Sequence, residues 1–375
     1  MKRDLKQVMA VIRGLCRRQG IDYLLTRDFA NIFRMTGLQL HCLGDALVLI
    51  TPRRIVLCTD DRYRGTAERL VAGNPLIKLV ICDKEGPLET LLRLVKKGSN
   101  LGFESDSESC SYKFVLKLRQ AAKKRGVQTK AVKPIIEIVR LIKSPYELAM
   151  IRKSAALTDL AFRYILRRIK VGRTELELAH ELSTRLRKLS GCDELSFPTI
   201  VASGPNSAIP HHMPGNRKLR LGDVITFDFG CIYKGYHSDM TRTVFLGEPS
   251  GKLREIYEIV LAAQQAAAKL ARPGMTGQQI DRIARDIIIK AGYGKYFGHG
   301  LGHGIGIEEH EGPRVSPTSF GKIVVIVGMT HSIEPGIYIP GLGGVRIEDI
   351  GVVTKRGFRS FCRSTKKLVI LRRAA

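Results

Sequence analysis

Hydrophobic and polar positions change rhythm several times along the first 134 residues. Residues 4–19 place apolar side chains at helical spacing, broken by Arg13, Arg17 and Arg18, and stop at Gly20. That pattern predicts an amphipathic helix and not a signal peptide. The runs IDYLL, ALVLI, RIVLC and IKLVIC then read as short apolar strands. Helical patterns near residues 62–72, 87–97 and 109–125 lie between or after them. Residues 1–134 are therefore expected to form an α/β domain. They contain no GxGxxG or Walker-type phosphate loop.

From residue 135 the punctuation is that of longer helices. Ser144 caps, Pro145 suits a first turn and Glu147 completes a capping box, opening a helix to about Lys170. Thr174 and Glu177 form a second box, with a helix that stops at Gly191. A third helix covers about 251–271 and ends at Arg272-Pro273-Gly274. Thr276 and Gln279 begin a fourth, which ends at Gly292. Strand-like segments lie between and after these helices. Residues 135–375 are thus expected to be α+β, with helices covering a largely antiparallel sheet. Two helix pairs separated by hairpins point to an internal duplication that residue identity does not show.

Composition narrows the class. The 375 residues are 44% hydrophobic and 26% charged, as in a soluble globular chain. No apolar run approaches the roughly 18 residues that a membrane span needs. None of the eight cysteines forms a CxxC pair, and several fall in apolar strand runs. Reduced thiols in a reducing cytoplasm are the expectation. The net charge is +27, divided as +13 over residues 1–134 and +14 over the rest. No nucleic-acid motif accompanies it, so a solvated basic surface is the reading preferred over nucleic-acid binding.

The candidate chemistry lies between residues 222 and 352. GDVITFDFGCIYKGYHSDMTRTVF carries Asp228 and Asp239, and SIEPGIYIPGLGGVRIEDIGVV carries Glu334 and Glu348. Between them, GHGLGHGIGIEEHEGP holds His299, His303 and His310. Opposed residues of a hairpin have a constant sum of numbers. The sum is 467 for the aspartates, which centres a turn on Tyr233-Lys234, and 682 for the glutamates, which centres one on Gly341. Each pair is expected to face across a ladder, with Cβ atoms about 4.5–5.5 Å apart. Four buried carboxylates would repel one another, and two divalent cations would remove that penalty. Oxygen ligands with one imidazole suit Mn²⁺, Co²⁺ or Zn²⁺. Taken singly, each residue is an ordinary strand acid or loop histidine, and only their concentration favours a dinuclear site.

FDFG…HSDMTRT, HGLGHGIG…HEGP, IEPGIY and RIED resemble the signature blocks of the pita-bread metallopeptidases. They are most similar to the Xaa-Pro branch, aminopeptidase P and prolidase. VASGPNSAIPHHMP resembles the segment with that branch's first active-site histidine, and IKSPYELAMIRKSA resembles the linker into its catalytic domain. The N-terminal part fits the branch's smaller, creatinase-like α/β domain through TRDFANIFRMTGL.

The resemblance implies Asp228, Asp239, His303, Glu334 and Glu348 as metal ligands, with Asp239 and Glu348 bridging. It makes His310 and His211 contacts of the substrate or of the developing oxyanion, with His212 outside the site. Glu334 would also carry the proton. His299 is expected in the substrate pocket. Arg346 shares a strand face with Glu348 and would orient it. Arg314, four residues after His310, is a candidate clamp for a dipeptide's carboxylate, or else a solvated loop arginine. The implied activity is hydrolysis of the bond before proline in Xaa-Pro peptides or dipeptides by two metals, Mn²⁺ first, in a cytoplasmic homodimer with no membrane or nucleic-acid partner. The competing readings are a methionine aminopeptidase-like enzyme and a non-catalytic pita-bread module binding protein or nucleic acid. Five intact ligand positions and the N-terminal domain weigh against both.

Overall fold

The structure, a computed structural model, describes residues 5–105 and 109–372. The expected start of the first helix at residue 4 lies outside them. The chain forms two compact units, Met1–Arg140 and Leu141–Ala375.

The first unit alternates helices and strands. In order they are α1 (Leu5–Arg18), β1 (Tyr23–Thr26), α2 (Phe29–Thr36), β2 (Ala46–Ile50), β3 (Ile55–Thr59) and α3 (Arg64–Val71). Then come β4 (Ile77–Ile81), α4 (Pro87–Leu92), β5 (Asn100–Glu104), α5 (Tyr112–Lys124), β6 (Gln128–Val132) and α6 (Ile136–Arg140). The sheet order is β4-β3-β2-β1-β5-β6, antiparallel at β1–β2 and β2–β3 and otherwise parallel. Strands β1, β2 and β3 are buried along their whole length because both faces are covered. Leu24, Val48 and Leu57 meet Met9 and Ile12 of α1 on one face. Leu25, Leu49 and Val56 meet Leu91 of α4 and Leu118 of α5 on the other.

The unit ends at Arg140 and not at residue 134. Ile135 and Ile136 belong to the first core cluster, and their backbone N–H groups donate to the buried Glu104 carboxylate at 2.7 Å each. Strands β5 and β6 escaped the sequence pattern. Gly102 interrupts β5 because a Cβ there would come within 2.4 Å of Ile21, and β6 buries only Val132.

The second unit opens with α7 (Pro145–Ile165) and α8 (Glu175–Arg187), both starting with the expected capping boxes and ending a few residues early. Strands β7 (Glu194–Leu195), β8 (Ile200–Ser203), β9 (Asp223–Phe229), β10 (Cys231–Tyr233), β11 (Tyr236–His237) and β12 (Met240–Leu246) follow. Helices α9 (Gly251–Leu270) and α10 (Gly277–Lys290) lead to β13 (Gly302–Gly304) and β14 (Glu311–Val315). The chain closes with β15 (Thr330–Ile333), β16 (Gly336–Ile339), β17 (Gly343–Arg346), β18 (Asp349–Thr354), β19 (Gly357–Ser360) and β20 (Ile370–Leu371).

Sheets β20-β12-β9-β8 and β14-β13-β15-β18-β19 carry the site, beside a β11-β10-β7 sheet and a β16–β17 hairpin. All pairs are antiparallel except β12–β20. Val260 and Ala267 of α9 and Ile280 and Ile288 of α10 pack against Ile333, Ile337 and Val345. Those strand residues are the inward side of the segments that present Glu334 and Arg346, so the helix pair backs the site. All eight cysteines are free, and Cys16, Cys58, Cys231 and Cys362 are buried.

Candidate metal centre

Strands β9 and β12 are buried along almost their whole length, but the register between them differs from expectation. Asp228 pairs with Thr241, not with Asp239. The hairpin closes at Tyr233↔Tyr236, so the turn is Lys234-Gly235, with φ of 50° and 76°. A two-residue turn with both central residues left-handed matches the twist of the strands, and glycine is most at ease in the second place. Centring one residue later moves the opposed partner by two. Asp239 therefore lies next to Thr241 on the same face, just before β12 begins.

The second hairpin keeps the expected register. Ile337 pairs with Val345 around Gly341, and the same register continues through Ile333↔Asp349. Glu334 and Glu348 fall where this ladder opens. Glu334 N donates to Leu301 O at 2.8 Å, and Glu348 N to Thr241 O at 3.1 Å. Each acid is thus tied by its backbone to a strand or loop outside its own hairpin, which brings the segments together.

His303 is the middle residue of β13, and its two glycine neighbours are required sterically. A Cβ on Gly302 would lie 2.3 Å from Ser332 O, and one on Gly304 would lie 1.9 Å from Gly312 O. His303 Nδ1 lies 3.0 Å from Gly304 O and donates to it. That leaves Nε2 facing Glu334 Oε1 at 3.3 Å and Asp239 Oδ2 at 3.6 Å. Ligand atoms of Asp239, His303 and Glu348 all lie within 4.8 Å of one another, and all three residues are buried.

The polar bookkeeping leaves a deficit of positive charge. Asp228 Oδ1, Asp239 Oδ1 and Glu348 Oε1 are buried without a hydrogen-bond partner. Burial, then the neighbouring Asp228, pushes the Asp239 carboxyl up to about 7. Burial and the charges of Asp239, Glu334 and Asp228 push Glu348 well above the carboxylate range. Burial also works against charging His303, yet Asp239 and Glu334 hold its imidazole well above its ordinary value. Burial likewise opposes ionisation of Glu334, but its contacts with His303 bring it down to about 2. Orphaned acceptors, mutually repelling acids and one outward imidazole nitrogen are what a cation pair would satisfy, so these residues fit divalent metal.

Nine of the ten residues singled out from the sequence line one cleft of about 950 Å³: His211, Asp228, Asp239, His299, His303, His310, Arg314, Glu334 and Arg346. Glu348 is buried away from the wall, held at Oε2 by Thr241 Oγ1 at 2.8 Å. None of the Arg346 guanidinium hydrogen bonds goes to Glu348. The guanidinium donates to Asp228 Oδ2 at 2.6 Å and to Thr241 Oγ1 at 2.9 Å, so it reaches Glu348 only through Thr241. The expected orientation of Glu348 by Arg346 would run through Thr241. His310 packs edge-on to His303, ring centres 4.0 Å apart. Burial, then the charges on His303 and Arg314, lowers its imidazole to about 4. His299 hydrogen-bonds Tyr338 OH at 2.9 Å. His212 is not in the wall and bonds Glu175 at 2.8 Å.

Sequence reasoning missed Thr241, Tyr338 and Glu309. Thr241 and Tyr338 lie within the quoted DMTRT and IEPGIY blocks, at even spacing from Asp239 and Glu334, which the strand period could have flagged. Glu309 lines the cleft beside His310, and burial raises it to about 7. It carries no comparable signal.

The model of metallopeptidase family M24 matches residues 149–355, and that of the creatinase/prolidase N-terminal domain matches residues 9–142. An Xaa-Pro dipeptidase of Pyrococcus horikoshii is 42% identical over 353 residues, 94% of this chain and 95% of that protein. The structure of an Xaa-Pro dipeptidase from Bacillus anthracis has a TM-score of 0.90 at 36% identity, covering 98% of this chain and all of that one. An X-Pro aminopeptidase from Thermotoga maritima has a TM-score of 0.83 at 31% identity, covering 95% and 99%.

Proposed function

This chain belongs to metallopeptidase family M24, and on that premise we propose that it hydrolyses the peptide bond before proline, with Xaa-Pro dipeptides as substrates. The observation that carries the reading is the set of three buried, unpartnered carboxylate oxygens on Asp228, Asp239 and Glu348, with Asp239 and Glu348 offering ligand atoms within 4.8 Å of one on His303. A methionine aminopeptidase-like reading does not account for the match of residues 9–142. A non-catalytic module does not account for five intact ligand side chains.

Asp228, Asp239, His303, Glu334 and Glu348 would hold two divalent cations, with Asp239 and Glu348 shared and Mn²⁺ the proposed metal. The chemistry supplied there is polarisation of the scissile carbonyl and acidification of a water. Glu334 accepts the water's proton and returns it to the proline nitrogen. Ser332 Oγ steadies Glu334 by donating to its Oε1 at 2.9 Å. Burial favours the neutral form of His310, whose N–H can donate to the developing oxyanion without carrying charge into the site. His211 is the second such donor. His299, fixed by Tyr338, shapes the substrate pocket. Arg314 clamps the free carboxylate of a dipeptide. Proline's tertiary amide has no N–H, and its ring fixes φ, so a site that asks for no N–H there accepts it.

We propose a reducing, cytoplasmic setting on the strength of the eight free cysteines, and a homodimer on the strength of the family resemblance. Among the described residues no helix is long and apolar enough to cross a membrane. The test is elemental analysis of the purified protein beside hydrolysis of Ala-Pro and Ala-Pro-Gly. Cleavage of Ala-Pro that disappears with the metal and returns with Mn²⁺ is expected. Cleavage of the tripeptide alone would replace dipeptidase by aminopeptidase, and activity in a metal-free sample would overturn the dinuclear mechanism.

A further inference from the structure

Glu175, the first residue of α8, is fully buried yet contributes nothing to the cleft wall. All hydrogen bonds to its carboxylate come from the segment 203–215, which carries His211. Oε1 accepts from Ser203 N and Ser203 Oγ at 2.7 Å each and from Asn206 Nδ2 at 3.1 Å. Oε2 accepts from His212 Nε2 at 2.8 Å, from Asn206 Nδ2 at 3.2 Å and from Gly215 N at 3.3 Å. Burial opposes its charge, but Ser203, His212 and Asn206 outweigh it and hold Glu175 below the usual carboxylate range. Its place in the first turn of a helix favours the same ionised state. An ionised carboxylate only accepts, so His212 Nε2 is the donor in their bond.

The segment is also tied from the strand side. Gly344 N donates to Ser207 Oγ at 2.8 Å, and Arg346 Nη1 reaches Pro210 O at 3.4 Å. Pro210 and His212 are therefore both pinned, and the residue between them is His211, which is exposed and lines the cleft. Of the ties on Pro210 and His212 the shorter is the one to Glu175, at 2.8 Å against 3.4 Å.

We propose that Glu175 and His212 are positioning residues for the reaction: the buried carboxylate fixes His212, and His212 fixes where His211 stands in the cleft. This rests on the peptidase reading above. Neither residue lines the cleft, so both act only through the loop.

The experiment is a double-mutant cycle on Ala-Pro hydrolysis. Glu175→Gln keeps the shape but turns an acceptor into a donor among converging donors. It should lower kcat by about tenfold or more while metal content stays unchanged. In a His211→Ala background the same change should cost no more than about twofold, because the residue it positions is gone. His212→Ala should repeat the loss, and His212→Gln, which still offers a donor, should recover part of it. A full, multiplicative loss in the His211→Ala background, or unchanged kcat in Glu175→Gln, overturns the proposal. If Glu175→Gln fails to fold, the same cycle with His212→Ala decides it. If the wild type leaves Ala-Pro intact, the substrate reading falls instead. Amide exchange over 203–215 then decides: protection that survives Glu175→Gln overturns the positioning role.

Discussion

Arg346 and Asp228 form a buried ion pair, Nη2 to Oδ2 at 2.6 Å, and Thr241 links the same guanidinium onward to Glu348. Two acids on different hairpins are thereby held by one cation. Arg346 Nη1 also donates to Tyr338 OH at 3.0 Å, so the pair reaches the residue that fixes His299. The arginine is 4% exposed, and water screens little of its charge.

Replacing Arg346 by Met should therefore cost more in the metal-stripped protein than in the loaded one. Without metal the change removes the positive partner of a crowded group of acids, at about 3–5 kcal/mol. With two cations in place the acids are already compensated and the cost should be smaller. Urea unfolding with and without Mn²⁺ measures both. Equal losses would mean that Arg346 does not serve the charge balance of the site.

Metal removal should cost the protein progressively more stability as pH rises from 5 to 8. In the stripped protein Asp239 is raised to about 7 and Glu348 is raised further, so the folded state binds protons that the unfolded chain has released. Stability then falls as pH rises from the unfolded carboxylate range through the folded values. His303, also raised, adds to the fall, since its contribution is present below the unfolded value and fades through the folded one. Glu334, depressed to about 2, acts only below this window. The buried histidines His237, His310 and His331, each lowered to about 4, act the other way in both forms and drop out of the comparison between them. The melting temperature lost on stripping the metal should therefore be larger at pH 8 than at pH 5. A loss on stripping that shrank toward pH 8 would contradict the burial of these acids.

The histidines of the glycine-rich loop should separate cleanly. His303→Ala, Asp239→Asn and Glu348→Gln should each lose bound metal. His310→Ala should keep both ions and lose mainly kcat, by about 10²–10³-fold, the effect of one oxyanion donor. Elemental analysis alongside kinetics distinguishes them. Metal loss from His310→Ala but not from His303→Ala would reverse the two roles.

Arg314 is exposed at the cleft wall, close enough for its charge to lower His310. As a carboxylate clamp, Arg314→Ala should raise KM for Ala-Pro far more than for Ala-Pro-Gly, whose carboxylate lies further out. Equal effects on the two lengths would remove Arg314 from substrate binding.

Much of this site is written locally. The capping boxes at Ser144, Thr174 and Thr276 form as their spacing dictates, because each needs only residues three apart. The Glu334–Glu348 register follows from strand alternation and a turn that Gly341 permits, with φ of 79°. The first hairpin was less legible. Its register depends on which two residues accept left-handed backbone, and Lys234 does so beside Gly235 against its ordinary preference.

What the sequence by itself determined is the inventory: four acids, their imidazole partner, the helices that back them and the family they resemble. What only the tertiary structure decided is who touches whom. Thr241 meets Glu348 across 107 residues, Arg346 meets Asp228 across 118, and Glu175 meets His212 across 37. Helix caps and strand periods are short-range effects of backbone geometry, so they can be read along the chain. These pairings arise only when separate sheets and helix ends pack and every buried acceptor must find a donor or a cation.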